Sequence, residues 1–181
     1  MCSSDLRPVL QMHTDARILI VGQAPGRRVH ESGVPFDDPS GDRLRDWLGV
    51  DRATFYDARR FAILPMGFCY PGTGRSGDLP PRPECAPAWR VPLLAGLRDL
   101  RLTLVIGQYA QAYHLPQGAG GVTEVVKAWQ SFLPAYLPLP HPSPRNQMWI
   151  SRNPWFAKDV LPELRSRVHE IFALPRRKPG A

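Results

Sequence analysis

The sequence predicts an α/β fold in three layers, α/β/α, around a central sheet of four largely parallel strands. Two observations carry this. Four short apolar runs, Ala16 to Val21, Phe61 to Leu64, Leu102 to Ile106 and Tyr136 to Leu139, have the length and continuous hydrophobicity of strands buried on both faces. Helical patterns fill the intervals between them, and strands alternating with helices build a parallel sheet covered on both sides. A chain of 181 residues, 43% hydrophobic and 22% charged, has the size of one domain and apolar surface enough for its core.

The elements follow in order. Residues 1–15 precede the first strand and form an N-terminal segment; the domain proper is expected over 16–174. The first strand ends at Gly22, the third at Gly107 and the fourth just before His141. The helical patterns are Asp42 to Leu48, Trp89 to Leu97, Gln108 to His114 and Val122 to Phe132. Asn153 and Pro154 read as an N-cap and first helical residue. Phe156, Val160, Leu164, Val168 and Phe172 then recur every four residues, the stripe of a helix packed on the sheet. The proline-rich stretches Pro71 to Pro87 and Leu133 to Pro144 read as loops. The basic tail 175–181 has no apolar period and is expected to fray.

The net charge is +7, and of 23 basic residues only Lys127, Lys158 and Lys178 are lysines. Arginine forks match phosphate oxygens bidentately, so a polyanionic partner fits this excess, as does a plain preference for arginine codons. No run has the ~20 apolar residues of a membrane span, and MCSSDLRPVL lacks the apolar stretch of a signal peptide. A monomeric cytoplasmic protein with no membrane partner is expected. Three cysteines, Cys2, Cys69 and Cys85, are too few for a disulfide framework and read as thiols or metal ligands.

Ligands of such sheets sit beyond the carboxyl ends of the strands. Two of those ends carry unusual clusters. Gly22-Gln23-Ala24-Pro25-Gly26 follows the first strand, with Phe36-Asp37-Asp38-Pro39-Ser40-Gly41 further on; glycines at such a turn let backbone N–H groups approach a ligand. The segment lacks the Gly-Lys-Ser/Thr of a nucleotide-triphosphate loop and the spacing of a dinucleotide fingerprint. His141-Pro142-Ser143-Pro144-Arg145-Asn146 follows the fourth strand, and a histidine locked between prolines there has no source in helix or sheet propensity.

Taken together, Gly-Gln-Ala-Pro-Gly, the downstream Pro-Phe, a strand ending in Ile106-Gly107 and the late His-Pro-Ser-Pro resemble the uracil-DNA glycosylase superfamily over residues 16 to 172. The first motif is closest to the Gly-Glu-Ala-Pro-Gly of its iron-sulfur branch. The resemblance implies a four-stranded parallel sheet between helices. It also implies excision of uracil, or a related deaminated base, from DNA by hydrolysis of the N-glycosidic bond. Phe36 matches the phenylalanine that stacks on the flipped base. Gly22, Gln23 and Ala24 match the loop whose backbone donors meet the base, and His141, with Ser143 of the same motif, would donate to the departing ring without transferring a proton.

Three departures from the family pattern bear on activity. Ala24 stands where the most familiar relatives carry a water-orienting aspartate. Asp38 is the candidate replacement, with a helix-cap role as the alternative, and the amide of Gln23 is a second water-positioning candidate. Leu64-Pro65-Met66 lacks the asparagine that reads uracil, so Asn146 is a candidate from elsewhere. Gly26 falls near the place of a tyrosine that excludes thymine and leaves room there.

Cys69 and Cys85, with Cys2, partly match the four cysteines of a structural 4Fe-4S cluster; buried thiols are the alternative, and no cofactor is required for the chemistry. Arg145 falls in the loop that relatives push into the DNA gap. Arg27 and Arg28, with Arg75, Arg82 and Arg152, are candidates for phosphate contact. Two other functions stay open at this point: a catalytically silent module that binds damaged DNA, and a hydrolase of free nucleosides.

Overall fold

The computed structural model describes residues 6–75, 77–116 and 120–176. The elements in chain order are β1 (Ile18–Val21), α1 (Arg27–Ser32), α2 (Pro39–Leu48), α3 (Arg52–Phe55), β2 (Phe61–Ile63), β3 (Thr73–Gly74), β4 (Gly77–Asp78), α4 (Cys85–Ala95), β5 (Leu102–Ile106), α5 (Gly107–His114), α6 (Val122–Lys127), β6 (Tyr136–Leu139), α7 (Gln147–Arg152) and α8 (Leu161–Ala173). Strands β2-β1-β5-β6, in that order, form one parallel sheet. Ile18 lies between Phe61 and Leu102, and Leu104 faces Leu137. The four strands are those expected from the sequence.

Alternation along each strand splits the core in two. Ile18, Ile20, Phe61, Leu104 and Leu137 point to one face, against Leu44, Trp47 and Leu48 of α2 and against Leu164 and Val168 of α8. Leu19, Val21, Ala62 and Val105 point to the other, against Ala86, Ala110 and Val125. The spacing of Leu44, Trp47 and Leu48 lays one helical stripe on the sheet.

Boundaries differ where local chemistry outweighs periodicity. Helix α2 starts at Pro39 rather than Asp42, because Asp38 caps it: its carboxylate accepts from the Gly41 N–H at 2.9 Å. The expected last helix begins at Pro154, as read, and then widens into a π turn over Phe156–Val160 before α8. Asn153 does not cap it; its amide donates to Trp149 O, and its oxygen accepts from Trp155 Nε1. The stripe itself is as expected, with Phe156, Val160, Leu164 and Val168 fully buried.

The N-terminal segment is part of the domain in its described portion. Gln11 bridges Ile63 of edge strand β2, exchanging backbone bonds of 2.9 and 2.7 Å, and its amide donates to Phe55 O and Phe61 O. Val9, 3% exposed, bonds to Phe68 O. At the other end, Arg176 pairs with Asp15 at 3.1 Å; residues 177–181 of the expected tail lie outside the described residues. No helix among the described residues is long and apolar enough to cross a membrane.

Candidate active site

A cavity of about 260 Å³ opens at the carboxyl end of the sheet, where both motif clusters meet. Of the residues singled out from the sequence, Gly22, Gln23, Ala24, Phe36, Asp38, His141, Ser143 and Arg145 line it. The N–H groups of Gln23 and Ala24 have no acceptor among the described residues, leaving two donors at the turn after β1.

Phe36 is held in an unusual way. Its backbone has φ 57°, a left-handed conformation that a bulky side chain adopts at a cost of order 1 kcal/mol or more. The turn is fixed from outside: Arg45 donates to Phe36 O at 3.4 Å, and Tyr56 donates to Pro35 O at 2.9 Å. A Cβ on Gly41 would fall 1.7 Å from Phe36 O, so only glycine fits at that position. The ring tip comes within 3.6 Å of where a Cβ on Gly22 would stand, and its edge meets Phe55.

The two neighbouring aspartates have different surroundings. Asp37 pairs with Arg52 at 2.8 Å, and that hydrogen bond holds its carboxyl below the ordinary range. Asp38 spends one oxygen on the cap of α2 and also lines the cavity.

The imidazole of His141 is fixed in one form. The Ser143 N–H donates to its Nδ1 at 3.1 Å, which places the proton of the neutral ring on Nε2. Burial pushes its pKa down, opposed by the charges of Asp38 and Asp78. The loop is tied across to α2 by Arg43, which donates to Ser143 O and Gln147 Oε1, each at 3.0 Å.

Other candidates have other partners. Asn146 donates to His141 O at 2.8 Å and lines a second cavity, of about 350 Å³, beside Gly107 and Trp149; it does not reach the first. Gln23 walls both cavities and its amide nitrogen donates to Leu79 O at 3.0 Å. Arg27 and Arg28 are exposed on α1 outside the cavity, and Arg27 is hydrogen-bonded to Tyr70. Arg75, Arg82 and Arg152 are exposed as well.

Cys69 and Cys85 are half-buried free thiols; burial, then the neighbouring Cys85, raises the pKa of Cys69. A four-iron cluster takes four thiolates. The described residues supply two, Cys2 lies outside them, and no group of three or more His, Cys, Asp or Glu gathers among them. Among the described residues, the two thiols fall short of the four that such a cluster takes.

Several site residues carry no sequence signal. Arg43 orients the histidine loop, and Asp78 of the β3-β4 hairpin adds a second carboxylate to the cavity. Arg90, 1% exposed, sends both guanidinium nitrogens to the carbonyls of Leu64 and Pro65 at 2.6 to 3.0 Å. It thereby fixes the wall that follows β2.

Backbone donors, an aromatic ring and carboxylates thus meet at the carboxyl end of a parallel α/β/α sheet, the place where sheets of this kind take their ligands. The chain belongs to the uracil DNA glycosylase superfamily, whose sequence profile matches residues 11–165. That superfamily comprises DNA glycosylases, hydrolases of the N-glycosidic bond. The fold is similar to the solution structure of a "putative Uracil DNA glycosylase" from Methanosarcina acetivorans, with a TM-score of 0.54 and 15% identity over 92% of this chain and 98% of that one.

Proposed function

We propose that the protein hydrolyses the N-glycosidic bond of uracil, or of a related deaminated base, in DNA and so initiates base-excision repair. The observation that carries this reading is the fixed Nε2–H tautomer of His141 in a cavity shared with Phe36, Asp38 and the Gln23-Ala24 turn. The target nucleotide leaves the stack at a cost of a few kcal/mol, part of which stacking on Phe36 offsets. As the bond breaks, its electron pair goes to the base, and His141 Nε2–H with the N–H groups of Gln23 and Ala24 meet that charge. The free oxygen of Asp38 orients a water, whose oxygen bonds to C1′ of the sugar and whose proton passes to solvent. Arg145 and Arg28 contact phosphates. The protein acts as a cytoplasmic monomer.

A silent binding module is the second reading, favoured by one pair of observations: Ala24 offers no carboxylate, and the amide nitrogen of Gln23 is engaged with Leu79 O. Incubation with uracil-containing duplex, single strand and free deoxyuridine decides. Free uracil from DNA alone supports the glycosylase; binding without release supports the module; release from deoxyuridine overturns both.

A further inference from the structure

The hairpin β3-β4 lies between Cys69 and Cys85 and folds over the cavity rim. Its anchors are specific: Gln23 Nε2 donates to Leu79 O at 3.0 Å, Leu79 N–H donates to Gly72 O at 2.9 Å, and Arg27 bonds the Tyr70 side chain. Asp78, the residue before Leu79, lines the cavity, and its Oδ2 lies 3.3 Å from where a Cβ on Gly26 would stand.

Asp78 differs from Asp38 in two respects. Its residue is exposed, at the rim, where Asp38 is half-buried. No described residue holds its carboxylate by a hydrogen bond; its charge is felt by Arg27 and by His141 across the rim.

A base that enters this cavity leaves its sugar at the rim, because the phosphodiester chain stays outside. A carboxylate there repels a polyanionic ligand before the reaction. The same charge attracts the sugar once positive charge develops at C1′. An interaction unfavourable in the ground state and favourable in the transition state is what accelerates a step.

On the glycosylase reading above, we infer that Asp78 is a further catalytic residue, stabilising the cationic sugar from the rim while Asp38 serves the water. Asp78 forms no bond in the step; the glycosidic electron pair still leaves with the base and the water oxygen still bonds to C1′.

The test uses the full chain, with Asp78→Asn and Asp78→Glu, and two oligonucleotide duplexes. One holds a cationic pyrrolidine abasic nucleotide and the other a neutral tetrahydrofuran one. Asp78→Asn is expected to slow single-turnover uracil release by roughly tenfold or more and to cut the preference for the cationic duplex by a similar factor. Affinity for the neutral duplex should hold or tighten, and Asp78→Glu should recover part of the preference. An active wild type whose rate and preference are unchanged in Asp78→Asn overturns the inference. So does an equal change in both affinities, the mark of a mere surface charge. A wild type that releases no uracil overturns the glycosylase reading instead, and absence of any cationic preference then overturns this inference too.

Discussion

The backbone N–H of Ser143 points at Nδ1 of His141 from 3.1 Å, so the loop after β6 chooses the tautomer of its own histidine. The next bonds continue the same logic. Asn146 grips the His141 carbonyl, and Arg43 grips that of Ser143 from α2. An imidazole held in this way loses little entropy when it meets a developing charge.

Replacing His141 by Ala should lower uracil release by about two orders of magnitude or more, the usual result of deleting one preorganised donor. The ring is not part of either core cluster, so the melting temperature should hold within a few degrees. Single-turnover cleavage beside thermal unfolding checks both halves.

Acid should act on the same residue in two ways. Burial holds His141 below its ordinary pKa of 6.5, against the pull of Asp38 and Asp78. The unfolded chain therefore takes up this proton first. The contribution to stability is complete above pH 6.5 and is lost as pH falls toward the lower folded value. Cleavage should be level above pH 6.5 and decline only below it, when Nδ1 can no longer accept from Ser143. Removing either carboxylate charge, by Asp38→Asn or Asp78→Asn, should move that decline to lower pH. A rate-pH profile of the three proteins reads the order directly.

Asp38 has two tasks that two substitutions separate. Asn caps a helix about as well as Asp, so Asp38→Asn should keep the Gly41 bond and the stability of α2 while slowing cleavage at least tenfold. Asp38→Ala should in addition cost about 1 kcal/mol of stability. Equal cleavage by wild type and Asp38→Asn would reduce Asp38 to a cap.

Gly41→Ala should be severe for its size. The added methyl would collide with the Phe36 carbonyl, so the turn that carries the ring must shift. Overpacking of this kind costs about 1 to 3 kcal/mol, and the displaced ring should raise KM more than it lowers kcat. Urea unfolding and steady-state kinetics on uracil-containing duplex measure the two effects.

The four strands were legible because parallel strands buried on both faces are written as unbroken apolar runs, and the Gly22 turn and His141 loop stand at their carboxyl ends. Asn146 shows the limit of that reading. Its place next to the motif suggested the base, but a local bond to the His141 carbonyl, five residues back, satisfies it first. Asp78 was illegible for the opposite reason: two strands of two residues each, glycine and polar, have no hydrophobic period, and tertiary bonds at their flanks, Gln23 to Leu79 and Arg27 to Tyr70, hold them over the cavity. Val9 and Arg43 reach the site in the same non-local way.

The strap at Val9 to Gln11 ties solubility to function. It occupies the outer edge of β2, whose N–H and C=O groups would otherwise be open to a strand from another molecule, and Val9 is at the same time a wall of the active-site cavity. A shortened protein lacking residues 1–11 would expose the edge and breach the cavity together. Its expression losses and its activity losses would then have one origin.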